Sequence, residues 1–180
     1  GFTSDGITPL WVYYNGKKTQ MVYPPNTIVV DSYLDKPKEK RRKRFTVAHE
    51  AGHYIFDKDC GGEVKAHFYS SFDGEKEYTL DDLKQIMGFC ENQANEMAAS
   101  LLMPRFLVVS AMKKHSGRTS LPIYGENLLS HRTKNVINQM ADTLEVSYSA
   151  LLIRIKSLNL FEKRPAEEYV SKILRFDKKF

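Results

Sequence analysis

The stretch Arg44-Phe45-Thr46-Val47-Ala48-His49-Glu50-Ala51-Gly52-His53 decides how the rest of this chain is read. Its apolar positions, continued by Ile55 and Phe56, recur at the spacing of a half-buried helix. On such a helix His49 and His53 lie one turn apart on one face, so both imidazoles can reach a single ion. Glu50, beside the first histidine, is placed to approach a water on the metal rather than the metal itself, as a general base must. A coincidental HExxH on a solvated helix is the bland alternative. Ala48, Ala51 and Gly52 count against it, because small residues around the histidines leave room for a second helix and would be indifferent choices facing water.

A catalytic zinc site usually takes three protein ligands and leaves one position for water. The extended HExxHxxGxxH pattern fails here, with Phe56 at the glycine and Asp59 at the third histidine. Asp59 and His67 stay as weaker donors. The stronger candidate is Glu91, in Glu91-Asn92-Gln93-Ala94-Asn95-Glu96-Met97-Ala98-Ala99. A second helix can offer that carboxylate, and Asn95, one turn on, can hydrogen-bond a histidine ring from behind. Ala94, Ala98 and Ala99 would let the two helices pack closely. The expected site is therefore one catalytic Zn2+ on His49, His53 and Glu91, with Asn95 in support and Glu50 as the catalytic base. Cys90, next to Glu91, invites a redox role, although a structural thiol is the simpler reading.

Working outward, Leu10 to Leu34 is rich in Val, Ile, Tyr and Thr, and reads as strands joined by turns. Asn15-Gly16 predicts a hairpin, whose register Lys17-Lys18-Thr19 leave open. Thr27 to Ser32 reads as a further strand behind Pro24-Pro25, suited to a sheet edge. An extended substrate could add as a strand along Thr27, Ile28, Val29, Val30 and Asp31. Residues 59–78 read as a long loop or short hairpin, and Thr79 as the cap of a helix that Gly88 separates from a second one over Glu91–Leu102. Pro104 stops the second, and residues 116–129 look like a connection. Helical periodicity returns at Asn135–Leu144, at Tyr148–Leu158 behind Ser147 as N-cap, and weakly at Pro165–Leu174.

The expected class is α+β: a small antiparallel or mixed N-terminal sheet on the HExxH helix and a ligand helix, followed by a helical, helix-turn-helix-like region. The boundaries are 1–130 for the catalytic domain, with strands at about 10–34, the active-site helix at about 44–57 and the ligand helix at about 90–103, and 131–180 for the C-terminal subdomain.

Composition fits this reading. A chain of 180 residues can bury a core unaided, and 42% apolar with 27% charged residues is globular. Cys60 and Cys90 are too few for a disulfide framework, which favours a cytoplasmic setting. No apolar run is long enough to span a membrane, and the sequence does not open on a signal-like segment. The net charge of +5 is concentrated in Lys36 to Arg44, which reads as a solvated loop and helix entry more than a nucleic-acid surface. The helices around Leu144-Glu145-Val146 admit direct DNA binding, but their side chains look like packing and leave Arg154 and Lys156 for phosphates, so this is not favoured.

With both segments in hand, the chain resembles the ImmA/IrrE-type zinc metallopeptidases. The likeness rests on Arg44 to His53, similar to that family's RFT-x-AHE-x-GH, and on Ala94-Asn95 leading to Ala98-Ala99-Ser100-Leu101-Leu102-Met103-Pro104, similar to AN-x-FAA-x-LLMP. A third segment, Val146-Ser147 through Ala150-Leu151 to Arg154-Ile155 and Leu158, resembles the family's VS-x-x-AL-x-x-RL-x-x-L. Ala51 stands for a usual leucine, Met97 for phenylalanine, and Gln93 for a glutamate that would rival Glu91. The resemblance implies a gluzincin-like endopeptidase, bacterial or carried on a mobile element, that regulates transcription by cleaving a co-encoded helix-turn-helix repressor or antitoxin-like partner. Peptide hydrolysis also needs an oxyanion stabiliser, for which Tyr54, Tyr69, Tyr124 and His131 are candidates.

Overall fold

A computed structural model of the chain describes residues 1–59 and 80–170. The expected loop over 59–78, with Cys60, His67 and Tyr69, lies almost wholly outside these residues, as do the Thr79 cap and the end of the last helix. By compactness the chain forms two units, Gly1–Leu101 and Leu102–Phe180. The division expected was at 130/131; by compactness it falls between Leu101 and Leu102.

In the first unit, β1 (Phe2–Thr3), β2 (Leu10–Tyr14), β3 (Lys17–Met21) and β4 (Ile28–Val29) make two separate antiparallel ladders, β1 with β4 and β2 with β3. Asn15 and Gly16 both have positive φ, 51° and 74°, so a two-residue turn pairs Tyr14 with Lys17. Lys17 to Thr19 therefore belong to the strand and not to the loop. The strand expected over Thr27–Ser32 is shorter than its composition suggested. After Val29 the Asp31 carboxylate accepts the Tyr33 N–H at 2.8 Å and starts a 3-10 turn over Ser32–Asp35, and a second turn spans Pro37–Glu39. A capping side chain has ended the strand.

The first helix, α1, runs from Lys40 to Asp59 and takes in most of the basic run. Lysine and arginine are good helix formers, and Lys40, Arg41 and Arg42 keep their side chains exposed. The second, α2, is continuous from Leu80 to Leu102. Gly88 does not break it: nothing crowds the position, and a glycine costs only about 1 kcal/mol in a helix that is otherwise well formed.

The second unit contains α3 (Arg105–Ser116), β5 (Leu121–Tyr124), α4 (His131–Leu144), α5 (Tyr148–Ser157) and β6 (Phe161–Arg164). Pro104 stands in the break between α2, which ends at Leu102 as expected, and α3, which Gly117 closes at φ 69°. Ser130 and Ser147 cap α4 and α5 by accepting the N–H of Thr133 and of Ala150, each at 3.1 Å. The region read as a plain connection holds β5, which pairs parallel to β6 from Leu121↔Phe161 to Tyr124↔Arg164. Val108, Met112, Ile137, Met140, Leu151 and Ile155 are fully buried and form the core of this unit. Arg154 donates from Nε to the Met103 carbonyl at 3.0 Å, so it ties the unit together instead of standing free for a phosphate. Among the described residues no helix is long and apolar enough to cross a membrane.

Candidate metal centre

The HExxH segment lies in the middle of α1, and its helical phase brings the two imidazoles together. The rings meet edge to face with centroids 4.5 Å apart, and the two Nε2 atoms are 2.9 Å from each other. Glu91, on α2, completes the cluster: Oε2 lies 3.2 Å from His49 Nε2, and Oε1 lies 3.5 Å from His53 Nε2. Among the described residues these three are the one group of His, Cys, Asp and Glu side chains whose donor atoms converge closely enough for an ion.

What lets α2 approach is the small residue between the histidines. A Cβ at Gly52 would stand 3.0 Å from the Ala94 carbonyl oxygen and 3.1 Å from Met97 Cβ, so the helices touch there through backbone. Ala94 and Ala98 are fully buried. Asn95 follows one residue later and receives the His49 Nδ1–H on its Oδ1 at 3.0 Å. That bond puts the ring proton on Nδ1 and leaves the Nε2 lone pair facing His53 and Glu91. His53 is buried at 5% exposure, while the Glu91 side chain is 55% exposed, so the cluster is closed on the α1 side and open on the α2 side.

Two imidazoles and one carboxylate are the donor set of a catalytic zinc site, which keeps a fourth position for water. Donors roughly 2.0–2.1 Å from a tetrahedral ion stand about 3.3 Å from each other. The three separations of 2.9, 3.2 and 3.5 Å bracket that figure. The residues present therefore fit a divalent ion.

Glu50 stands apart from the donor cluster. It is 6% exposed, and its Oε2 accepts the Thr3 hydroxyl of β1 at 3.1 Å. Thr3, itself 2% exposed, is the neighbour that sequence reading missed; 47 residues away, it carries no motif. The proposed substrate edge is partly used by the fold: β1 occupies one side of Ile28–Val29, the Thr27 carbonyl accepts the Ser4 N–H at 2.9 Å, and the Asp31 side chain caps the 3-10 turn. Of the oxyanion candidates, Tyr54 lies on α1 one turn beyond Glu50, with its hydroxyl accepting from Lys58 Nζ at 3.3 Å. Tyr124 and His131 belong to the second unit, on β5 and at the start of α4.

An α+β chain with such a cluster beside a buried helix glutamate has the make-up of a metallopeptidase. The family model described as the IrrE N-terminal-like domain, a peptidase family, matches residues 14–156, and the chain belongs to that family. Comparisons with curated proteins and with solved structures return no match.

Proposed function

We propose that this protein is a zinc-dependent endopeptidase that cleaves a protein partner, and that the partner is a helix-turn-helix repressor or antitoxin-like regulator encoded beside it. The convergence of His49, His53 and Glu91, with Asn95 fixing the His49 tautomer, carries the hydrolytic half of this reading. The partner half is supported by the family resemblance of the three motif segments.

When bound, zinc supplies Lewis-acid activation of water and of the scissile carbonyl. The protein's residues do the rest. His49, His53 and Glu91 hold the ion from two helices whose spacing is set at Gly52 and Ala94. Glu50 takes the proton from the attacking water and passes it to the departing amine, the usual double duty of a single general base. Substrate backbone adds to the side of β4 that β1 leaves unpaired among the described residues, with the cluster's exposed Glu91 side giving access.

The test compares wild type with Glu50→Gln in zinc content and in cleavage of the neighbour-encoded regulator. Both should bind one zinc per chain, and cleavage by the variant should fall at least about 10²-fold. Normal zinc with no cleavage of any such regulator by wild type would turn the reading toward an interaction module. Steeply salt-dependent duplex binding would turn it toward a DNA-binding regulator.

A further inference from the structure

The second unit contains a cavity of about 420 Å³ between the end of α3, the paired strands β5 and β6, and the first turn of α4. That volume lies in the range of sites for small organic ligands. One part of its wall is apolar, built from Leu121, Tyr124, Val136 and Tyr169, the two tyrosine rings standing 5.4 Å apart. The rest combines hydroxyl side chains and Pro122 with Arg118, His131, Arg132 and Arg164, and among the described residues no aspartate or glutamate lines it.

These charges are only partly met by the protein. Arg164 gives its terminal nitrogens to Glu162 Oε1 at 2.9 Å and Glu168 Oε2 at 3.7 Å, yet its Nε is buried with no hydrogen-bond partner. Arg118 and Arg132 have no ion-pair partner among the described residues. His131 and Arg132 also open α4, whose first turn carries no acid. A helix N-terminus is the positive end of the helix dipole and is stabilised by anions, so Arg132 there adds to a potential that an external anion would relieve. Surface arginines alone would be screened by water. Here Arg118 and Arg132, themselves exposed, line one cavity together with two tyrosines.

We propose that this cavity binds a small organic oxyanion: a phosphate or carboxylate head held by Arg118 and Arg132 at the start of α4, with a compact apolar body against Leu121, Tyr124 and Tyr169. The site uses none of the metal cluster's residues.

The experiment is an amide-resolved NMR titration of the full chain with phenyl phosphate, benzoate and inorganic phosphate in parallel. Saturable shifts confined to residues 116–136 and 161–169 are expected, with at least one aromatic anion binding about tenfold or more tighter than inorganic phosphate. The tighter of the two aromatic probes assigns the head group. Arg118→Ala with Arg132→Ala should weaken binding by about tenfold or more. Both side chains are exposed, so the fold should survive, and the same spectra check it. Val136→Phe, which fills the space and leaves every charge in place, should weaken the aromatic probes and spare inorganic phosphate. No saturable binding, equal binding by the double arginine variant, or shifts centred on Lys36–Arg44 would overturn the proposal.

Discussion

The two units spend their interiors differently. In the second, the buried set is almost wholly apolar, led by Met103, Val108, Met112, Ile137, Met140, Leu151 and Ile155. In the first, the buried apolar side chains among the described residues are Leu34, Ala48, Ala94 and Ala98, and beside them lie Thr3, Ser4, Glu50 and His53. A methionine or leucine core stabilises by area removed from water, about 1.5–3 kcal/mol for each large side chain. An interior of alanine, glycine and polar groups depends instead on close backbone approach and on every buried donor finding an acceptor. Among the described residues, the metal-ligating cluster sits in an interior of small and polar groups, while the C-terminal region is a conventional apolar core.

The sharpest way to test this contrast is to damage the conventional core. Leu151→Ala should cost about 2–5 kcal/mol in denaturant unfolding of the second unit, with zinc uptake by the folded protein unchanged. A parallel loss of zinc affinity would show the two interiors to be one. Gly52→Ala attacks the other kind of interior. The new methyl meets the Ala94 carbonyl at 3.0 Å, and about 1–3 kcal/mol of stability together with weaker metal binding is expected, read by thermal melting and by competition with a chelator. If melting and metal binding are both unchanged, the helices are not held apart by backbone at this point.

Asn95→Ala should lower zinc affinity about 10–100-fold through the freed His49 ring, with melting of the metal-free protein close to wild type. Affinity equal to wild type would mean that the His49 tautomer is fixed in some other way. The smallest effect is expected at Asp5, whose carboxylate accepts the Thr8 hydroxyl at 2.6 Å and the N–H groups of Thr8 and Ile7 at 2.7 and 2.9 Å. These bonds, the Thr8 hydroxyl foremost, lower its pKa from 3.8 to about 2. A folded pKa below the unfolded one stabilises above 3.8 and loses that contribution as pH falls through about 2. The melting difference between wild type and Asp5→Ala should therefore be present near neutrality and shrink across that window; a difference independent of pH would contradict it.

Much of the site was legible because its signals are local or nearly so. His49, Glu50 and His53 share one helical turn, the alanines around Asn95 advertise a close helix, and Asn15-Gly16 and Ser147 are turn and cap residues with their own mechanisms. The rest depends on partners distant in sequence. Four residues of β5 pair with four of β6 some forty positions later, and Pro122 within β5 argues against a strand unless the partner is known. Thr27–Ser32 carries the β-branched composition of a longer strand, but the Asp31 cap ends it after Val29. Gly88 shows the reverse: a helix as long as α2 absorbs one unfavourable residue. The Thr3 contact with Glu50 has no local signature at all.

That contact decides how the proposed general base can be interrogated. Glutamine at position 50 still offers Thr3 a carbonyl oxygen, so the exchange removes proton transfer and keeps the bond. Alanine would take away the nearer acceptor of a buried hydroxyl, leaving it only the main-chain carbonyl of residue 50 at 3.4 Å, and would loosen a two-residue ladder too short to persist alone. A dead alanine variant would report folding and chemistry together, and only the isosteric amide separates them.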